Sequence, residues 1–486
     1  MRATVSRARG RGPFLSNDNS DFSVIQIFRR LRPLALLVAA LACTGPATAA
    51  PACGTAPRYE VDHPAWSRNA SLYELNLRQF TPEGTFAAAQ AQLPRLKALG
   101  VDILWLMPIH PIGEKNRKGP LGSPYAIRDF LSVNPEFGTL DDLKHFVAEA
   151  HRLGLHVILD WVGNHTSWDN VLATSHPEWY DHDRKGRFRP TPWYDWDDII
   201  DLDYGQPGLQ RYMLDALAYW VRTADIDGYR VDAAGLVPLQ FWEDARCRLS
   251  AIKPVFMLGE WEDRDLHEHA FDASYAWTWW DALRALVAGR GDIGAINTYY
   301  AWNRKFYPKQ AYRMMYTTNH DKNAWEGTEF EIFGPAVDAA IVFSFVSEGI
   351  PLVYNGQEVG NRKRLKFFER DPIEWTPSPY TALYTKLLAL KKGNTALWNG
   401  PYGATMEPLP NDAPQQVFSF VRANDKDKVV GVFNLSPRPA TVRFKDDLGQ
   451  GRYHDLDTGA AVVVDAGTAL SMAPWSWRVF VRQAGD

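Results

Sequence analysis

The stretch Asp227-Gly-Tyr-Arg-Val-Asp-Ala-Ala234 decides the fold. It follows the end of a predicted helix over 216–225, and the apolar residues from Ile226 to Val231 predict a short buried strand. Because side chains alternate along a strand, Arg230 and Asp232 lie on the same face. An acid beside a guanidinium, at the C-terminal end of a buried parallel strand, is typical of an active site in a (β/α)8 barrel. The alternative is a surface ion pair after a core strand.

Other predicted strands also end in acids. The apolar run 255–259 ends in Glu260, the run 312–316 leads to Asp321, and the run 155–159 ends in Asp160. Asp232 and Glu260 are 28 residues apart, and Glu260 and Asp321 are 61 residues apart. One βαβ unit takes roughly 30 residues, so these acids are spaced by one unit and then by two. The spacing predicts three acids at one end of one barrel.

Four short motifs give the chain a family resemblance. They are Asp160-Trp-Val-Gly-Asn-His165, Gly228-Tyr-Arg-Val-Asp232, Gly259-Glu-Trp261 and Asn319-His-Asp321. Two flanking motifs also fit: Gly122-Ser-Pro-Tyr-Ala126 and Gly349-Ile-Pro-Leu-Val-Tyr-Asn-Gly356. Over residues 70–486 the chain therefore resembles the α-amylase superfamily, glycoside hydrolase family 13. The resemblance implies an α/β fold: a TIM barrel with a short insertion after strand 3 and a C-terminal antiparallel β-sandwich.

The resemblance also implies roles for the acids in a retaining mechanism. Asp232 is the expected nucleophile, which forms a covalent glycosyl-enzyme. Glu260 is the expected acid/base, so its pKa should be raised, with Trp261 and the charge of Asp232 as candidate causes. Asp321 should bind hydroxyls of the distorted sugar ring. The substrate-binding residues that the resemblance implies are Tyr125, His165, Arg230, Trp261 and His320.

Three of these binding residues, Tyr125, His165 and His320, have a structural alternative. Tyr125 should stack under the cleaved sugar, and otherwise packs its loop. His165 and His320 should donate to hydroxyls of that sugar, and otherwise are structural histidines. Arg230 should orient Asp232 and hold it ionised. The insertion carries several aromatic residues, which either stack sugar rings or pack against each other.

The predicted function is hydrolysis of α-1,4-glucosidic bonds in starch, maltodextrins or maltooligosaccharides. Transfer to a sugar acceptor is the alternative within enzymes, and a non-catalytic glycan-binding protein is the alternative outside them. Many α-amylases carry Lys-His where this chain has Gly235 and Leu236. The replacement predicts weaker binding beyond the scissile bond and good cleavage of short chains. Restoring the basic pair should favour long chains, provided that position 235 accepts a side chain.

No cofactor is expected to be required for the chemistry, but the resemblance allows a structural Ca²⁺ with Asn164 as a ligand. Ca²⁺ needs several oxygen ligands. No clear set of acidic partners for Asn164 is visible in the sequence, and its amide could equally tie down its own loop. The net charge of −4 and pI near 6.3 give no indication of nucleic-acid binding. Oligomeric state is left open.

The N-terminal region predicts export. Basic residues at 29–32 precede the apolar run 34–42 and the small residues 47–50, which is the order of a secretory signal. The run is too short for a transmembrane anchor. We expect a secreted or periplasmic protein, with lipidation at Cys43 less favoured. Cys53 and Cys247 would remain after cleavage and could pair in an oxidising compartment.

The expected domains are a leader at 1–50, a catalytic barrel at 51–385 that includes the insertion at 166–203, and a C-terminal β-sandwich at 386–486. Within the barrel, residues 72–80 predict strand one. Residues 271–287 predict a helix rich in tryptophan.

Overall fold

The computed structural model describes residues 61–192, 194–465 and 467–482. The predicted leader and signal, together with Cys43 and Cys53, lie outside the described residues. Cys247 is disulfide-bonded. No helix in the described part of the chain has the length and apolar character needed to cross a membrane.

Strands in the described residues fall into a barrel, an insertion and a C-terminal region. In chain order they are β1 (Leu72–Leu75), β2 (Ile103–Leu106), β3 (His156–Val162), β4 (His165–Ser167), β5 (Ile199–Asp201), β6 (Gly228–Asp232), β7 (Phe256–Gly259), β8 (Ala273–Tyr275), β9 (Tyr312–Met315), β10 (Ile350–Tyr354), β11 (Met406–Pro408), β12 (Val417–Ala423), β13 (Lys428–Asn434), β14 (Ala440–Arg443), β15 (Gly451–Asp455), β16 (Ala461–Val464), β17 (Ala469–Met472) and β18 (Trp477–Arg482).

Helices separate the barrel strands. In chain order the α-helices of the described residues are α1 (Leu77–Phe80), α2 (Phe86–Gln90), α3 (Leu93–Leu99), α4 (Leu140–Arg152), α5 (Val171–Ser175), α6 (Pro207–Ala224), α7 (Leu239–Ser250), α8 (Leu266–His269), α9 (Trp277–Val287), α10 (Ile293–Phe306), α11 (Glu329–Phe333), α12 (Val337–Val346) and α13 (Pro379–Gly393). A short π-helix at Lys322–Glu326 follows Asp321 directly.

Eight parallel strands close the barrel in the order β1-β10-β9-β8-β7-β6-β3-β2. Their side chains are almost all buried, because helices cover the outside and neighbouring strands fill the inside. The register places Asp160 of β3 beside Arg230 of β6, and Val162 beside Asp232. The C-terminal ends of these strands therefore carry the predicted acids to one face of the barrel.

The insertion and the C-terminal region follow the predicted fold. β4 and β5 form a two-stranded antiparallel pair after barrel strand 3. A six-stranded antiparallel sheet, in the order β11-β12-β13-β18-β15-β16, and the pair β14-β17 make up the C-terminal region. Val442 and Leu470 of the pair pack into one apolar core with Val430 and Phe480 of the larger sheet.

Three local predictions differ from the structure. Strand one ends at Leu75, and helix α1 takes up the rest of the predicted stretch. Residues 271–287 hold barrel strand β8 before helix α9, because a strand of three residues leads almost directly into the helix. The expected boundary between residues 385 and 386 lies inside helix α13, and the antiparallel strands begin only at Met406.

Candidate active site

The predicted acids meet at the C-terminal end of the barrel. Asp232 is the last residue of β6, Glu260 follows β7, and Asp321 follows β9 by six residues. All three line one cavity of about 710 Å³, together with Tyr125 and His165. Trp261 and His320 also line it, so the structure gathers every predicted substrate-binding residue except Arg230 around this cavity.

Arg230 lies beneath the cavity and contacts three carboxylates. Its side chain is fully buried. Nη1 donates to Oδ1 of Asp160 at 2.9 Å and to Oδ1 of Asp232 at 3.1 Å. Nη2 lies 3.0 Å from Oε2 of Glu260. One guanidinium therefore fixes the positions of both predicted catalytic carboxyls relative to each other.

The protonation of the pair follows from these contacts. Burial raises the pKa of Asp232, and the charge of Glu260 adds to it, which outweighs Arg230. Arg230 thus acts against burial and the charge of Glu260, which both favour the protonated form of Asp232. Arg230 donates a hydrogen bond to Asp232 but none to Glu260, although Nη2 lies 3.0 Å from Oε2, so of the two carboxyls Asp232 is the better stabilised as an anion.

Glu260 has the raised pKa expected of an acid. Burial raises its pKa, Arg230 opposes this, and the charge of Asp321 raises it further. The predicted direction is confirmed, and burial is its first cause; the carboxylate that adds most to it is Asp321, which the sequence did not suggest for this role. Oε2 already accepts a bond from the backbone N–H of Ala233 at 2.9 Å, which leaves Oε1 to carry the proton.

The backbone N–H of Ala233, which donates to Glu260, belongs to a residue with an unusual backbone conformation. Its φ of 45° lies in the left-handed region, which costs an alanine about 1–2 kcal/mol. The conformation turns the chain sharply after Asp232 and points the Ala233 N–H at Glu260. The residue after the predicted nucleophile thus holds the predicted acid/base, which no sequence pattern indicated.

Tyr125 and His320 form one buried network on the other side of Arg230. The Tyr125 hydroxyl donates to Oδ2 of Asp160 at 3.0 Å and lies 2.8 Å from Nε2 of His320. Nδ1 of His320 contacts Glu74 of β1, and Nε2 lies 3.3 Å from Oδ2 of Asp321. Sequence analysis missed Glu74, which reads only as a polar residue within an apolar strand.

The two predicted sugar-binding histidines differ in charge. Burial lowers the pKa of His320, but the charges of Asp321 and Glu74 raise it to about 9, so His320 is a cation at neutral pH. Burial lowers the pKa of His165 to about 4, so it is neutral. A charged donor and a neutral donor therefore face the same cavity.

Trp261 occupies the space above Gly235. A Cβ placed on Gly235 would lie 2.2 Å from Cε2 of Trp261, closer than atoms can approach. Trp277 packs edge-on against Trp261, with ring centroids 5.8 Å apart. The condition set for introducing a lysine at 235 is therefore not met, because position 235 does not accept a side chain while Trp261 stays in place.

Aromatic rings make two further sides of the cavity. Trp325, which is 56% exposed, packs against Phe367 and Phe368, with ring centroids 5.2 and 5.8 Å apart. In the insertion, Tyr194 and Trp196 stack at 4.3 Å. Sequence analysis noted the aromatic residues of the insertion as a group but missed the other three, because nothing in the sequence indicates that the loops around residues 325 and 367 meet.

Asn164 is engaged within its own loop. Its amide donates to Oγ1 of Thr191 at 3.3 Å and to Oδ1 of Asp201 at 3.2 Å. Burial raises the pKa of Asp201 to about 6. Within the described ranges, no group of three or more acids, histidines or cysteines could hold a metal ion. The two bonds fit the alternative in which Asn164 ties down its own loop, and a structural Ca²⁺ at Asn164 stays a prediction.

Comparison with known proteins supplies the family. The family model described as "Alpha amylase, catalytic domain" matches residues 69–378 of this chain. The chain belongs to the α-amylase family. The resemblance inferred from the four motifs is thus confirmed, as is the predicted barrel with a C-terminal antiparallel sheet.

Individual members of the α-amylase family match most of the chain. MalA, an α-amylase of Haloarcula japonica, is 29% identical over 453 residues, which cover 87% of this chain and 65% of MalA. The noncanonic maltogenic α-amylase AmyB of Thermotoga neapolitana is 30% identical, covering 85% of this chain and 99% of its own, with a TM-score of 0.78. An α-amylase of Lactobacillus plantarum is 32% identical, with coverages of 86% and 99% and a TM-score of 0.77.

Proposed function

We propose that the protein hydrolyses α-1,4-glucosidic bonds of starch, maltodextrins and maltooligosaccharides with retention of configuration. The observation that carries the proposal is the shared contact of Asp232 and Glu260 with Arg230 at the floor of an aromatic-lined cavity. Retaining glycosidases need one ionised and one protonated carboxyl close together. Arg230 favours that division here, since its hydrogen bond goes to Asp232.

In the first step, an oxygen of Asp232 attacks the anomeric carbon while the glycosidic C–O bond breaks. Glu260 gives its proton to the departing oxygen, so the leaving sugar departs as a neutral alcohol. In the second step, the ionised Glu260 removes a proton from water. The water oxygen bonds to the anomeric carbon, the ester to Asp232 breaks, and both carboxyls return to their starting states. Asp321 and His320 hold hydroxyls of the ring as positive charge develops on it.

The surroundings of the cavity favour short substrates. Nζ of Lys118 lies 2.8 Å from Asp197 and 3.4 Å from Asp198, which joins the loop after β2 to the insertion. The backbone N–H of Leu121 donates to the carbonyl of Phe368 at 3.0 Å, which joins the same loop to the one after β10. We infer that these joined loops limit how far a long glucan chain can extend, so that maltooligosaccharides are cut about as well as starch per bond.

The main alternative reaction is transfer of the glycosyl group to a sugar instead of water. If a sugar hydroxyl rather than water reaches the glycosyl-enzyme, the same residues catalyse transfer. Trp261 and Trp277 give the cavity an aromatic surface next to Glu260, on which an acceptor sugar could stack. A binding protein without catalysis is disfavoured, because all three acids are present and face the cavity.

A product profile tests the proposal. The protein would be incubated with starch, pullulan, cyclodextrin and maltotriose, and the products separated over time. Hydrolysis predicts glucose and maltose from maltotriose, whereas transfer predicts products longer than maltotriose. Failure to cleave any α-1,4-linked glucan would contradict the proposed function.

A further inference from the structure

A second groove lies outside the active-site cavity, between helices α9 and α10. Its volume is about 670 Å³. Ala295, Thr298, Tyr299 and Trp302 line one side at helical spacing, so they share a face of α10. Trp302 is 61% exposed, and its ring lies 4.6 Å from that of Phe306. An exposed indole thus forms one rim of the groove.

Polar groups line the rest of the groove. Nη2 of Arg313 lies 2.5 Å from Oε1 of Glu262. The other carboxylate oxygen of Glu262 accepts hydrogen bonds at 2.8 Å from both the backbone N–H and the hydroxyl of Thr278. Asp281 lies one helical turn after Thr278 and is exposed. The hydroxyl of Tyr299, which is only 4% exposed, has no hydrogen-bond partner among the described residues.

The groove adjoins the active site through the chain itself. Glu262 and Thr278 directly follow Trp261 and Trp277, the two tryptophans that line the catalytic cavity. The bonds between Glu262 and Thr278 hold these two segments together. The same pair of segments therefore presents tryptophan to the catalytic cavity and a carboxylate and a hydroxyl to the groove.

We propose that this groove is a second, non-catalytic binding site for an α-glucan chain, with Trp302 as the stacking surface. This inference rests on the proposed function for the identity of the glucan. A sugar ring has an apolar face and a rim of hydroxyls, which match an exposed indole beside carboxylate acceptors. A second copy of the chain fits less well, because a stable protein interface buries about 800 Å² on each partner and two rings offer far less.

The test measures how strongly starch slows the migration of groove variants, and separately whether these variants still cleave a short substrate. Trp302→Ala and Thr298→Arg, which fills the groove without removing the indole, would each be combined with Glu260→Gln so that starch is not consumed. Migration would be measured in native gels containing soluble starch. Val463→Ala, on the C-terminal sheet, is the control because Val463 is similarly exposed at 60%. Both groove variants should bind starch roughly tenfold more weakly than Glu260→Gln alone, while the control should not.

The outcomes separate this inference from the proposed function. With Glu260 intact, Trp302→Ala should cleave maltotriose within about twofold of the wild-type rate, which excludes misfolding as the cause of weaker starch binding. Unchanged retention in both groove variants overturns the second site while leaving hydrolysis standing. A change in sedimentation instead of retention also overturns it, since the groove would then bind another copy. A wild-type chain that neither binds nor cleaves glucans overturns both proposals.

Discussion

The indole of Trp261 lies so close to Gly235 that a single added carbon at position 235 would overlap it. Trp261 follows the predicted acid/base and Gly235 follows the predicted nucleophile by three residues, so the contact joins the two catalytic segments. In the wider family, a lysine commonly occupies the position of Gly235. Here the side chain comes from the opposite segment, and the surface beside the scissile bond is aromatic rather than basic.

Gly235→Ala should displace Trp261 and lower kcat/KM on maltotetraose by roughly tenfold, because the tighter packing moves the ring out of the cavity. Trp261→Ala should show a similar loss, and the double variant should lose little more than either alone, since both act through one contact. Gly393→Ala is the matched control, as nothing lies within 4 Å of its added carbon. Fully additive losses would contradict this account.

Glu260→Gln should abolish nearly all turnover on glucans while leaving the fold and substrate binding intact. Glutamine keeps the shape and still accepts the Ala233 N–H, but it cannot give or take the proton. Initial rates and a thermal melt test this, with the exposed Glu268→Gln as control. Substantial activity in Glu260→Gln would show that another group is the acid/base.

The first product released should be the α-anomer, because two displacements at Asp232 restore the original configuration. Proton NMR spectra recorded in the first minutes, before mutarotation, distinguish the two anomers. An initial β-anomer would exclude Asp232 as the nucleophile and would require water to attack directly.

Deprotonation of His320 should lower the free energy of unfolding as the pH rises above neutral. Its pKa is raised from 6.5 to about 9 in the folded chain, so the folded state binds the proton more tightly than the unfolded state. That contribution, on the order of 3 kcal/mol, is complete below pH 6.5 and is lost as pH rises through 9. Urea unfolding between pH 6 and 10 measures it. His320→Gln should flatten the decline across this window, and an unchanged slope would count against the Glu74–His320–Asp321 network.

Lys118→Ala should raise activity on starch relative to maltotriose, because it releases the insertion from the loop after β2. Lys144→Ala is the control, because Lys144 pairs with Asp141 within helix α4 rather than with the insertion. The ratio of initial rates on the two substrates measures the effect. An equal ratio in both variants would mean that the joined loops do not limit chain length.

The four motifs predicted the barrel and the acids Asp232, Glu260 and Asp321, because these residues lie at strand ends with regular spacing, but not Asp195 and Asp198 of the insertion, which also line the cavity. They could not predict contacts between distant segments that carry no shared pattern. Glu74 meets His320 across 246 residues, and the ring contact of Trp325 with Phe367 joins two loops whose paths no periodicity specifies. Barrel strand β8 was missed for a local reason: it is three residues long and adjoins a helix.

The position of Arg230 also sets which inhibitors should bind. Two cations, Arg230 and protonated His320, contact more acids than they can balance: Arg230 contacts Asp160 and Asp232, and His320 contacts Glu74 and Asp321. The unliganded cleft therefore has a net negative charge and favours a positively charged ligand. A sugar analogue with a protonated ring nitrogen should therefore bind more tightly than its neutral counterpart.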